Sequence, residues 1–176
     1  MISASSFDRH RFGKMVERRE DGCYHKPRST RLEWLLLDRA TSPIAAQLDF
    51  IPIEIPYRAD STQPSGWEGW ATNLGPYAEK AISPSQYPAL ATAFGELLAK
   101  ATLLGLADLH AENIVITRSP GQNAVHPIPV DLEIAFWNCT SGMDTLLFPS
   151  RLVSLGRCGL ATLPHPIGPL GTWILA

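Results

Sequence analysis

The sequence predicts an α+β fold on three observations. An Asp-Gly turn separates two short strand-like runs near the start, one long amphipathic helix occupies the middle, and a strand-turn-strand unit follows it. A chain of 176 residues with 45% hydrophobic content is sized for one domain with a real core.

The elements follow in order. Phe12 and Met15-Val16 lead into Glu20-Asp21-Gly22, and Cys23-Tyr24-His25-Lys26 comes next. Asp-Gly between two such runs is a hairpin signal. Thr30 with Glu33 resembles a capping box ahead of Leu32, Leu35, Leu36 and Arg39, which predicts a helix over about residues 30–40, ended by Pro43. Phe50 to Tyr57 is rich in β-branched residues, but Pro52 and Pro56 demote it to an edge strand or extended segment. Residues 58–88 read as loop, punctuated by Pro64, Gly66, Gly69, Gly75, Pro76, Pro84 and Pro88, with Trp67 and Trp70 as packing residues.

From Pro88 the residues Leu90, Phe94, Leu97, Leu98, Ala101 and Leu104 recur at helical spacing, and Gly105 is placed to end that helix. Leu106 to Asn113 is a polar loop. Ile114-Val115-Ile116 and Ile128-Pro129-Val130 flank a turn at Ser119-Pro120-Gly121 and lead to Asp131-Leu132-Glu133. Residues 138–176 are dense in Gly, Pro and Leu without periodicity and receive no assignment.

Charge excludes some classes. A formal net charge of −2 argues against a nucleic-acid or membrane-surface binder. The basic residues Arg9, Arg11, Lys14, Arg18 and Arg19 are interrupted by Glu17, Glu20 and Asp21 and read as a solvated strand face. Three cysteines, widely spaced and without a CxxC pair, argue against a disulfide framework and a structural zinc site. With neither a signal-peptide core nor a membrane span in the sequence, a cytoplasmic setting is expected.

The chemistry lies in Asp108-x-x-x-x-Asn113 and the later Asp131. Phosphoryl transfer needs one carboxylate to orient and deprotonate an attacking hydroxyl. It also needs an amide oxygen and a second carboxylate to hold the metal ions that neutralise the phosphates. The five-residue step puts Asp108 and Asn113 on one loop, and the hairpin returns Asp131 beside them. Such a site also requires a strand lysine. Lys26, alone between Lys14 and Lys80, is the candidate, against the plainer reading of a solvent-facing strand lysine.

Five segments then occur in order: Asp8-Arg9-His10-Arg11-Phe12-Gly13, Asp21 to Ser29 with its Lys26-Pro27-Arg28, Gly66-Trp67-Glu68-Gly69-Trp70, Asp108 to Val115, and Pro129-Val130-Asp131-Leu132-Glu133. Together they resemble the dehydratase domain of class II lanthipeptide synthetases, the LanM type, over roughly residues 7–137. The resemblance implies a kinase-like, two-lobed fold related to lipid and protein kinases, with a small lobe over about 1–70 and the start of a large lobe over about 71–137. It implies ATP and Mg2+ as cofactors, and phosphorylation of Ser and Thr in a precursor peptide as the first step of dehydration. It assigns Lys26 and Arg28 to cofactor binding, and Asn113, Asp131 and Glu133 to the metal. Asp108 and His110, with Asp8 and His10 of the early Asp-x-His motif, would be catalytic. His110 also fits a loop-stabilising role.

Some residues depart from the family pattern. Phe7 stands where Gly is usual, His25 separates Tyr24 from Lys26, and Glu68 is displaced by one position. The family's domain continues far beyond its Asp-Leu-Glu motif, so the expectation is an incomplete C-terminal lobe and no completed dehydration. Two other readings stay open. One is a small-molecule kinase of the aminoglycoside or choline kinase type, although those usually place His-Gly where this chain has Leu106-Ala107. The other is a non-catalytic remnant that binds nucleotide or peptide.

Overall fold

Residues 9–10, 14–60, 68–79, 81–121, 124–137 and 142–147 are those described by the computed structural model. Among them, three α-helices accompany three small antiparallel sheets, which makes the chain α+β. The chain divides into two compact units, Met1–Pro76 and Tyr77–Ala176.

In the first unit, β1 (Arg9–His10) pairs with β2 (Lys14–Met15). The Asp-Gly turn then joins β3 (Glu17–Arg18) to β4 (Cys23–Lys26), in the register Glu17↔His25 and Arg18↔Tyr24. Arg19 closes that turn, accepting from the Gly22 N–H at 3.2 Å and donating to the Cys23 carbonyl at 2.8 Å. Gly22 has a φ of 82°, a conformation that glycine adopts without a Cβ penalty.

The other edge of β4 carries β5 (Gly69–Thr72), from Lys26↔Gly69 to Cys23↔Thr72. The expected loop over 58–88 therefore contains a strand. Residues 58–60 lie along the far edge of β5, where the Thr72 N–H donates to Arg58 and the Asp60 N–H to Trp70. Residues 50–57 form bends rather than the expected extended segment. Pro52 and Pro56 bring no N–H to a ladder, yet Phe50, Ile51, Ile55 and Tyr57 are buried.

Helix α1 (Arg31–Leu37) follows, but the expected capping box does not form. Thr30 makes no side-chain cap bond; its hydroxyl donates instead to the Asp60 carbonyl, and Glu33 turns inward. Asp38, fully buried, ends the helix by accepting from the Ala40, Thr41 and Ala59 N–H groups and from Arg58 Nε. Pro43 opens a helix rather than closing one: it stands in the first turn of α2 (Pro43–Leu48), where a missing N–H costs nothing. The Ser42 hydroxyl accepts from the Ala45 N–H at its start.

In the second unit, α3 (Tyr87–Leu104) buries Leu90, Phe94, Leu97 and Ala101 on one face. Gly105 caps it with a φ of 58°. Hairpin β6 (Ile114–Arg118) and β7 (Val125–Pro129) pairs from Ile114↔Pro129 to Arg118↔Val125. The Ile116 carbonyl accepts from the Glu79 N–H on the far edge of β6, so it points away from β7. Ile116↔Pro127 and Ile114↔Pro129 are thus non-hydrogen-bonded pairs, where β7 tolerates proline. Ile114, Ile116, Val125, Ile128, Leu132 and Leu147 join the α3 face as buried apolar residues. Among the described residues no helix is long and apolar enough to cross a membrane.

Candidate functional site

Lys26, Arg28 and Glu33 form a buried ionic cluster in the first unit. Lys26 reaches it from the end of β4, and Glu33 from the first turn of α1. Lys26 Nζ donates to Glu33 Oε1 at 2.9 Å. Arg28 grips the same carboxylate with two N–H groups, Nη2 to Oε1 at 2.6 Å and Nη1 to Oε2 at 3.2 Å. Glu33 is completely buried and Lys26 only 7% exposed. The reading of Lys26 as a solvent-facing lysine therefore does not hold. Arg28, expected at the cofactor, is turned to Glu33, with Nη1 also donating to the Ser29 carbonyl.

Sequence reasoning missed Glu33, which was assigned to a cap. An acid seven positions after the strand lysine, on the next helix, was the available signal. Of the Gly66–Trp70 motif, Gly69 sits opposite Lys26 in the ladder. A Cβ on Gly69 would lie 2.1 Å from the Thr30 hydroxyl, so only glycine lets β5 lie against the start of α1. His25 and Glu68 approach to 3.6 Å beside them.

The second unit brings Asp108, His110, Asn113 and Asp131 onto linked loops. Leu106 and Leu109 are buried anchors on either side of Asp108. Leu106 N–H donates to the Ala101 carbonyl and Leu109 N–H to the Thr145 carbonyl, each at 2.8 Å. Part of the unassigned segment thus supports this loop through residues 142–147. Asp108 lies between the anchors with a φ of 66°, and Asp131 has a φ of 59°. Left-handed backbone is uncommon outside glycine, though Asp tolerates it better than most, and such outliers gather at functional sites.

Asn113 ties the two aspartates' loops together. Its Nδ2 donates to the Asp108 carbonyl at 2.9 Å, and its own carbonyl accepts from the Val130 N–H at 2.8 Å. With Nδ2 held by Asp108, Oδ1 is the accepting end of the Asn113 side chain. His110 Nδ1 accepts from the Glu112 N–H at 3.3 Å and caps the short turn Ala111–Asn113. That bond puts the remaining imidazole proton on Nε2, which lies 3.7 Å from Asp108 Oδ1. His110 is therefore a loop organiser that also faces the carboxylate.

Glu133 is exposed. Asp8 lies outside the described residues, as do the side chain of His10 and Trp67. Among the described residues no group of three or more His, Cys, Asp or Glu is placed to hold a metal. A magnesium site of the phosphotransferase kind takes only one or two carboxylates, with phosphate oxygens and water supplying the rest. Asn113 and Asp131 stand on loops joined by the bond from the Val130 N–H to the Asn113 carbonyl. No family model, curated protein or solved structure matches the chain.

Proposed function

We propose that the chain is a kinase-type phosphotransferase module that uses ATP and Mg2+ to phosphorylate Ser and Thr of a precursor peptide. The observation that carries this reading is the Lys26–Glu33 ion pair at 2.9 Å, because Glu33 belongs to none of the motifs that suggested the chemistry. A kinase small lobe needs a strand lysine held by a helix glutamate, so that its ammonium is fixed where the nucleotide phosphates arrive. A buried ion pair seldom stabilises a fold more than apolar residues of the same volume would. Folding alone therefore gives little reason to keep Lys26, Arg28 and Glu33 in this place.

On this reading Lys26 binds phosphate, Glu33 orients it, and Arg28 fixes Glu33. Asp108, whose side chain is 43% exposed, orients the peptide hydroxyl and accepts its proton. His110 and the Asn113 amide hold Asp108 in place. Asn113 Oδ1 and Asp131 would hold the metal, with Glu133 near it; the ion supplies neutralisation of charge on the phosphates. The resemblance of the Lys26-Pro27-Arg28 and Asp108 to Asn113 segments to lanthipeptide dehydratases favours a peptide acceptor over a small molecule.

The test uses labelled ATP, Mg2+ and a Ser/Thr-containing peptide, with mass spectrometry of the product. Transfer of phosphate that disappears in Asp108→Ala and Asp131→Asn is expected. No transfer, or turnover retained in Asp131→Asn, would overturn the reading.

A further inference from the structure

Asp108 stands on a loop whose peptide groups are tied at three points. Ala107 N–H donates to the Ile134 carbonyl at 3.3 Å, and the Asp108 carbonyl accepts from Asn113 Nδ2 at 2.9 Å. On the other side, Leu109 N–H donates to the Thr145 carbonyl at 2.8 Å. The φ of 66° at Asp108 is costly for a residue with a side chain, and such backbone persists only where its surroundings over-determine it. Two of the three ties come from Asn113 and from the residues that follow Asp131. The third comes from residues 142–147, outside every motif that suggested the chemistry.

The residue type at 145 suits that third tie. Thr145 ends the short turn Gly142–Thr145, which packs against α3, and it is completely buried. A buried hydroxyl is costly unless it is bonded. Here it accepts from the Leu147 N–H at 3.2 Å, a bond that spans Leu146 and holds it at a φ of 60°. Side-chain bonding of this kind fixes a local turn without a helix or sheet ladder. Leu147, also completely buried, pins the far end of the turn. The Thr145 carbonyl is thereby aimed at the N–H that follows Asp108. Leu109 is only 1% exposed, so water has little access to that N–H in place of Thr145.

We propose that Thr145 is a positioning residue for Asp108. Its hydroxyl closes the turn over Leu146, and its carbonyl holds the Leu109 N–H. Through that peptide the Asp108 carboxylate is kept where it orients the acceptor hydroxyl and takes its proton. The inference rests on the phosphotransferase reading and extends the reactive loop beyond Asp131-Leu132-Glu133. Such a hold matters because a displacement of about 1 Å at a reacting group can cost ~100-fold in rate.

Thr145→Val and Thr145→Ser in the full chain test it, the first removing the hydroxyl at nearly constant volume and the second keeping it. Phosphate transfer to a Thr-containing peptide is measured per folded molecule, and exchange of the Leu109 amide is followed by NMR. In the unaltered chain that amide is expected to exchange as slowly as the amides in the middle of α3. Thr145→Val should speed its exchange, leave α3 as it was, and lower kcat by about tenfold or more with the KM for ATP unmoved. Thr145→Ser should match the unaltered chain in each of these. A merely structural role would lower the folded fraction but not kcat per folded molecule; that result overturns the proposal and leaves the phosphotransferase standing. Equal loss in both variants also overturns it, since the hydroxyl is then not what counts. If Thr145→Val does not fold, exchange in the unaltered chain decides: slow at Leu109 supports the hold, and fast overturns it. Protection of Leu109 that only Thr145→Val removes, with no phosphate transfer by any form, supports the hold and overturns the phosphotransferase.

Discussion

The Asn113 side-chain amide donates to the Asp108 backbone carbonyl at 2.9 Å, so the residue proposed to hold a metal also sets the backbone of the proposed base. One side chain thereby performs two tasks with its two ends. Asn113→Asp separates them, since a carboxylate keeps an oxygen for the metal but cannot donate to Asp108. The half-buried carbonyl then faces an acceptor instead of a donor. We expect a stability loss of ~1–3 kcal/mol, the cost of an unsatisfied buried group. We also expect kcat to fall while the Mg2+ requirement persists. Urea denaturation and Mg2+ titration of turnover check both. Unchanged stability would show that the amide bond does not organise the loop.

Glu33 should matter more to folding than Lys26 does. Its carboxylate is shared by Lys26 and Arg28. Glu33→Ala removes the anion common to two buried cations, and breaking a buried pair in this way costs ~3–5 kcal/mol. Lys26→Met leaves the Arg28 fork on Glu33 and puts an apolar chain of similar length in the lysine's place. We expect a clearly smaller stability loss together with loss of ATP use. Urea midpoints of the two variants decide it, and equal destabilisation would mean that Arg28 does not hold Glu33 by itself.

How far these features were legible in the sequence depends on how local their causes are. The Gly22 turn, α3 with its Gly105 cap, and the hairpin after Asn113 follow from turn chemistry and periodicity, which act over a few residues. Asp108, Asn113 and Asp131 were legible for the same reason, as spacings on one loop and one hairpin. Pro43 was ambiguous, because proline both follows one helix and begins another. Only the Ser42 cap decides between them. Strand β5 was hidden because its glycine exists for a tertiary contact with Thr30, and glycine weakens any local strand signal. Glu33 was misread because a local capping pattern competed with two cations that reach it only after β4 and α1 pack.

Cys23 offers a pH test of the hairpin. Burial pushes its thiol above the ordinary range, and the nearby Asp21 carboxylate adds to the effect. The thiolate is the reactive form, so a raised value means less of it at neutral pH. In a chain carrying Cys139→Ser and Cys158→Ser, iodoacetamide should modify Cys23 more slowly at pH 8 than it modifies a free cysteine. The rate should still be climbing past pH 9. Asp21→Asn should shift the profile to lower pH without restoring it fully, since the larger cause is burial. The sign for stability is the same: the unfolded chain loses its proton first, so this group's contribution holds below the unfolded value and fades as pH rises above it. A profile identical to that of free cysteine would contradict the packing of β4.

Gly69 and Gly105 both exclude a side chain, but for reasons that can be separated by experiment. A Cβ at Gly69 meets the Thr30 side chain, at 2.1 Å from Oγ1 and 2.9 Å from Cγ2. A Cβ at Gly105 meets the Trp137 backbone, at 2.0 Å from the carbonyl oxygen and 2.6 Å from the nitrogen, and Gly105 has a φ of 58° besides. Gly69→Ala should therefore destabilise by ~1–3 kcal/mol, as overpacking does. Thr30→Ala should recover part of that loss, because it removes the two nearest atoms, although it also removes the bond to the Asp60 carbonyl. The double variant should then be more stable than the sum of the two single losses, a coupling that a double-mutant cycle reads directly. No truncation of a side chain can relieve Gly105→Ala, since Trp137→Ala leaves the obstructing backbone atoms where they are. That pair of changes should be additive or worse, and Gly105→Ala should also lower phosphate transfer by displacing the segments that lead into Asp108 and out of Asp131. Recovery of Gly105→Ala by Trp137→Ala would show that the two segments do not touch through their backbones.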